Sequence, residues 1–140
     1  MSRPGLGFGM RHVALFVRDL AACEHFYVDL LGMEVEWRPD DRNVYLTSGG
    51  DNVALHQAEP GMQRDETTQR IDHIGFFLDS AEAVDHLFSW LHSQQVRIRS
   101  EPLDHRDGAR SFYCYDPDGT LVQMIHHPEV SQWEQLKGLN

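Results

Sequence analysis

Four side chains able to bind a metal ion stand at related places in this sequence. His12 and His73 open two short apolar stretches, RHVALFV and DHIGFFL, 61 residues apart (73 minus 12). His56 and Gln123 lie in two later stretches, NVALHQ and TLVQMI. Three imidazoles and one amide oxygen suit one divalent first-row ion such as Zn, Ni, Co, Fe or Mn. Any one strand histidine taken alone is ordinarily solvated or hydrogen-bonded, and the chain has nine. Four polar groups at corresponding places in two similar halves favour a metal instead.

The elements that must position them can be read from alternation. In 11–17, Val13, Leu15 and Val17 point one way and His12, Ala14 and Phe16 the other. The stretch DLAACEHFYVDLLG carries a helical stripe of Cys23, Phe26, Tyr27, Leu30 and Leu31, with Asp19 as N-cap and Gly32 as the C-terminal glycine. MEVEWR, NVYLTS and NVALHQ read as strands, the last two joined by Gly-Gly-Asp. After the polar stretch AEPGMQRDETTQR the order repeats. IDHIGFFL is a strand, DSAEAVDHLFSWLHS a helix with Val84, Leu87, Phe88 and Leu91 as its stripe, and QVRIRS, ARSFYCY and TLVQMIHH three more strands. Asp79 and Glu82 have capping-box spacing. At the offset of 61, Val13 matches Ile74, Leu15 matches Phe76, Phe16 matches Phe77 and Val17 matches Leu78. The chain is therefore βαβββ written twice.

This gives a lead-in over 1–9, modules over 10–57 and 71–128, a linker over 58–70 and a tail over 129–140. The tail is expected to hold a short helix with Trp133 packed on the body or a partner chain. The expected fold is α+β: two tandem βαβββ modules forming a cupped mixed sheet, with helices on the outer face. In the last strands, Val53 and Leu55 share one face and Val122 and Met124 another, leaving His56 and Gln123 on the faces turned from the helices. On that parity His56 and Gln123 read as equivalent positions. Ala14 and Gly75, each two residues past a histidine, leave room for a substrate.

Bulk properties narrow the function classes. At 140 residues the chain has the length of a single domain. A formal charge of −10 disfavours a nucleic-acid surface, and no apolar run reaches the length of a membrane span. The opening stretch lacks the apolar segment of a secretory signal. Cys23 and Cys114 form no CxxC pair, which makes a disulfide framework unexpected and a reducing cytosol the expected setting.

HVALFVRDLAACEHFYVDLLGMEV and SFYCYDPDGTLVQMI together resemble the vicinal oxygen chelate superfamily, which holds glyoxalase I, extradiol dioxygenases and the bleomycin- and fosfomycin-resistance proteins. The likeness runs from about Met10 to Pro128. It implies two paired modules around one divalent metal, a small-molecule substrate and a homodimer. By position, the family's strand-one ligands match His12 and His73, and its last-strand ligands match His56 and Gln123. After DPDG the common family ligand is a glutamate, and glyoxalase-type members carry a glutamate at the place of His56 as well.

Those departures shape the expected chemistry. A neutral His, His, His, Gln set leaves a divalent ion its full charge, which strengthens it as a Lewis acid. An amide has no basicity with which to move a proton, so a base is needed elsewhere; Tyr113, Tyr115 and His105 are the candidates. Tyr45, Phe16, Phe77 and Arg110 are candidate substrate contacts. The leading expectation is a metal-dependent enzyme of lyase or isomerase type that stabilises an anion on neighbouring oxygens. An Fe(II) extradiol dioxygenase is one alternative, although Gln123 replaces its usual carboxylate. A drug-binding module without catalysis is the other. The Asp116-Pro117-Asp118-Gly119 turn is expected to have solvated carboxylates.

Overall fold

In the first half, β1 (His12–Val17) leads through α1 (Leu20–Glu24) and a π-helical turn (His25–Leu30) to β2 (Glu34–Asp40), β3 (Asn43–Thr47) and β4 (Asn52–Gln57). In the second, β5 (Ile74–Phe77) and α2 (Ala81–Ser93) precede β6 (Ile98–Asp104), β7 (Arg110–Tyr115) and β8 (Leu121–His126). This computed structural model describes residues 2–4, 7–65, 67 and 71–128. The expected tail over 129–140, with Trp133, lies outside them. The chain divides into two units, Met1–Gln63 and Arg64–Asn140. Each holds one four-stranded mixed sheet, ordered β1-β4-β3-β2 in the first and β5-β8-β7-β6 in the second. The first strand of each unit runs parallel to the last, and the other neighbours are antiparallel. This is the α+β fold of tandem βαβββ modules that the repeat predicts.

In the first unit the alternation of β1 holds: Leu15 and Val17 are buried, while His12, Ala14 and Phe16 are exposed. The Asp19 carboxylate caps α1 by accepting the Ala22 N–H at 3.0 Å. The expected single α-helix then widens. Leu31 N–H donates to the Phe26 carbonyl five residues back, and Met33 N–H reaches the Tyr27 carbonyl. An extra residue in the turn shifts the phase of the stripe. Phe26 and Tyr27 stay buried edge to face, but Leu30 and Leu31 are only half-buried and Met33 takes the inward place. Gly32, at φ +86°, lets the chain turn out of the helix.

In the second unit the N-cap of α2 is Ser80, whose Oγ accepts the Ala83 N–H at 3.0 Å, not the Asp79 expected from the Asp-x-x-Glu spacing. Ser80 has the extended backbone that a cap requires. Val84 and Leu91 are buried beneath the helix, and Phe88 meets Phe112 of β7 edge to face at 5.4 Å. Phe112 has no solvent exposure. Phe112→Ala should therefore destabilise the fold by about 3–5 kcal/mol, read as a lowered urea midpoint.

The DPDG turn departs from expectation, because Asp116 and Asp118 are buried. Asp116 Oδ1 accepts the N–H groups of Asp118 at 2.9 Å and Thr120 at 2.8 Å. Asp118 Oδ2 pairs with Arg64 Nη1 at 2.8 Å. The carboxylates act as internal acceptors that close the turn and tie it to Arg64 of the linker. Burial first, and then the Asp116 charge, push the Cys114 thiol up to about 12. Neither Cys23 nor Cys114 is in a disulfide. Among the described residues no helix is long and apolar enough to cross a membrane.

Candidate metal centre

His12 stands at the first position of β1, on the face turned from the helix and directly across from Asn52 of β4. Its Nδ1 lies 2.7 Å from Asn52 Oδ1, and Asn52 Nδ2 donates to Glu36 Oε2 at 2.8 Å. A carboxylate only accepts, so the Asn52 amide must present its NH₂ to Glu36 and its oxygen to the imidazole. His12 therefore carries its proton on Nδ1. Nε2, which makes no hydrogen bond among the described residues, is left with a lone pair. This is the tautomer of a metal-ligating histidine held from behind.

The second unit repeats the device with a different partner. His73 lies just before β5, and its Nδ1 is 2.7 Å from Asp72 Oδ2. That contact again puts the proton on Nδ1 and the lone pair on Nε2. Tyr113 stands edge-on to the His73 ring, at 5.4 Å and 90°. Gly75, two residues on, pairs with Gln123 of β8. Gln123 Nε2 donates to Ser111 Oγ at 3.2 Å, and Ser111 Oγ lies 2.8 Å from His105 Nε2. With its NH₂ engaged by a buried serine, Gln123 keeps Oε1 as a donor atom. A Cβ at position 75 would come within 3.9 Å of that oxygen.

Strand register corrects the place of His56. Phe16 pairs with His56 and Phe77 with Ile125, so His56 corresponds to Ile125. The position that corresponds to Gln123 is Ala54, which pairs with Ala14 as Gln123 pairs with Gly75. His12 and His56 share a face but are four residue steps apart along the strand pair, about 13 Å. Side chains stand roughly perpendicular to a sheet, so both imidazoles cannot meet one ion at about 2.0–2.1 Å. His73 and Gln123 are only two steps apart, about 7 Å. Among the described residues no three His, Cys, Asp or Glu side chains gather closely enough to hold an ion. The donors in hand are single imidazoles and an amide oxygen, each oriented from behind.

Arg110 also moves. It sits on the helix-facing side of β7, where Asp85 of α2 takes its Nη2 at 2.8 Å and Asp104 takes its Nη1 at 2.9 Å. The hydrogen bond with Asp85 leads in raising its pKa above the usual arginine value, with Asp104 second. Its charge is engaged within the second unit and is not presented to a substrate. The Tyr115 hydroxyl accepts from Arg99 at 3.1 Å, and Arg97 lies over the Tyr115 ring. Phe16, Phe77 and Tyr45 do lie on the faces turned from the helices, with Phe16 64% and Phe77 55% exposed.

The orienting residues Asn52, Asp72 and Ser111 were not among the sequence candidates. Asp72 was legible as an Asp-His dipeptide. Asn52 left a fainter mark, since β3 and β4 both open on Asn-Val.

Residues 9–124 match the model of the Glyoxalase/Bleomycin resistance protein/Dioxygenase superfamily. Metallothiol transferase FosB of Staphylococcus epidermidis is 33% identical over 118 residues, covering 82% of this chain and 79% of that protein. Among solved structures, a glyoxalase/dioxygenase from Nostoc punctiforme superposes with a TM-score of 0.75 at 23% identity, covering 92% of this chain and 97% of that one. Lactoylglutathione lyase from Agrobacterium tumefaciens gives a TM-score of 0.69 at 22% identity, covering 85% and 93%.

Proposed function

Because the chain belongs to the glyoxalase/bleomycin resistance protein/dioxygenase superfamily, we propose that it is a divalent-metal-dependent enzyme acting on a small molecule with neighbouring oxygens, without redox change. The ligands proposed are His12 Nε2, His73 Nε2 and Gln123 Oε1. The observation that carries this reading is the common tether: both histidines are held through Nδ1 and the glutamine through its NH₂. Each is left with a lone pair on its remaining donor atom.

A bound divalent ion would supply Lewis acidity toward a substrate oxygen. The chain's own residues do the rest. Asn52 and Asp72 fix the tautomers and ring orientations, and Ser111 fixes the amide. Gly75 leaves space beside Gln123. Three neutral ligands leave the positive charge of the ion undiminished, which suits an anionic or polarised substrate. Gln123 cannot take a proton, so a glyoxalase-type transfer between carbons has no base at that position.

Group transfer from a thiol lacks that difficulty. The nucleophile arrives with the co-substrate: a sulfur–carbon bond forms, a carbon–oxygen bond breaks, and the thiol proton ends on the departing oxygen. The similarity to a metallothiol transferase favours this class over isomerisation. The reading includes the homodimer implied by the family likeness.

Elemental analysis of the purified protein, as isolated and reloaded after chelation, is the test. One divalent ion per chain is expected, with occupancy lost in His12→Ala and reduced in Gln123→Ala. A protein that takes up no ion under any loading condition would overturn the proposal.

A further inference from the structure

Displaced from the ligand set, His56 is left with an environment of its own. Its Nδ1 lies 2.6 Å from Asn43 Oδ1, and Asn43 Nδ2 donates to Asp40 Oδ1 at 2.8 Å. The same Asp40 oxygen accepts the Arg42 N–H at 2.8 Å. That backbone bond first, and the Asn43 amide second, hold the Asp40 carboxyl below its usual range. The carboxylate fixes the asparagine amide and the asparagine fixes the imidazole. His56 therefore carries its proton on Nδ1, and its Nε2 accepts hydrogen bonds. Nε2 makes none among the described residues.

The ring that carries this acceptor is part of a row crossing all four strands of the first sheet. Phe16 of β1 lies 6.0 Å from His56 of β4, Tyr45 of β3 lies 5.9 Å from His56, and Trp37 of β2 stacks on Tyr45 at 5.1 Å. Phe16 and Trp37, the two ends, are 64% and 58% exposed. A purely apolar row would fit any greasy cover. This one has a polar acceptor at its centre, oriented by two successive hydrogen bonds and ending in a fixed negative charge. The Asp40 carboxylate behind Asn43 disfavours an anionic occupant, and Nε2 asks for a donor.

We propose that this row is a binding site for a planar aromatic group bearing a single N–H or O–H, the ring lying on the aromatic side chains and the donor reaching His56 Nε2. It extends the ligand-binding face that His12 shares. It does not require the ion.

Indole and 1-methylindole are the probes, alike in shape and differing in the one donor. Binding is followed by NMR titration of protein labelled with ¹⁵N in its histidine rings. Indole is expected to bind about two- to tenfold tighter than 1-methylindole, with a shift of the His56 Nε2 signal. Chelator treatment should leave both affinities unchanged. His56→Phe keeps a ring in the row and should equalise the two ligands; Asn43→Ala, which releases the imidazole, should do so as well. Trp37→Ala should weaken both several-fold. Equal binding of the two indoles by the native protein, or no saturation by either, overturns the proposal. So does loss of binding on chelation, which would put the ligand on the ion. A dimer that dissociates on Phe16→Ala or Trp37→Ala while no indole binds also overturns it, since a second copy would then cover the row. Should the protein take up no metal while the indole preference persists, the metal proposal fails and this one stands.

Discussion

His73→Ala is expected to weaken divalent-ion binding by on the order of 100-fold or more, since removing a ligand exceeds the 10- to 100-fold typical of removing its hydrogen-bond partner. Competition against a chelating dye measures it. Asp72→Ala should produce the smaller loss, about tenfold, because the imidazole remains and only its tautomer and aim are released. Gln123→Glu should act in the opposite direction. A carboxylate at that position adds a negative charge to a neutral set, so the ion binds more tightly while its Lewis acidity toward a substrate falls. If His73→Ala and Asp72→Ala bind metal as the native protein does, the ion is held elsewhere and the proposed ligand set is wrong. The same titration on His56→Ala separates His56 from His12: no change in metal affinity is expected, because register places His56 four steps from His12.

The second large effect concerns stability. Arg64→Ala should cost about 3 kcal/mol, because it leaves the Asp118 carboxylate, only 5% exposed, without its guanidinium partner. Arg64 also donates to Thr120 Oγ1 at 3.1 Å and to the Asp118 carbonyl at 3.3 Å, so the turn before β8 loses its tie to the linker. Chemical denaturation reads the change. The double variant Arg64→Met with Asp118→Leu should recover part of the loss, since the buried carboxylate is then removed together with its guanidinium. A single variant as stable as the native protein would show that the turn does not need the Arg64 guanidinium. The effect should reach the metal proposal only weakly, as Gln123 is held through Ser111 and not through the turn.

Much of the fold is legible in the sequence, for a physical reason. The two-residue period of a strand is written directly in residue type. Val13, Leu15 and Val17 against His12, Ala14 and Phe16 predict which side of β1 is buried, and burial follows that pattern. The repeat at 61 residues predicts two βαβββ units, because the same apolar pattern must satisfy the same packing twice. The helix of the first unit is less legible. Its stripe predicts Leu30 and Leu31 inward, and one widened turn moves them out and brings Met33 in.

The candidate site divides along the same line. Alternation predicts His12, His56, His73 and Gln123 on the faces turned from the helices, and the register places His12, His56 and Gln123 on those faces. Parity repeats every two residues, however, and cannot distinguish a position from the one two steps away. Only the hydrogen-bonded pairing of β1 with β4 and of β5 with β8 sets the register. That pairing aligns Gln123 with Ala54 and His56 with Ile125. Charge likewise leaves direction open. Arg110 reads as a possible anion contact until its strand places it toward Asp85, and Asp116 and Asp118 read as solvated until Arg64 and the turn's own N–H groups enclose them. The residues that could bind an ion were determined by the sequence, since their chemistry is local. Which positions correspond in the two units, and which partners hold each side chain, was decided by pairing between strands far apart in the chain.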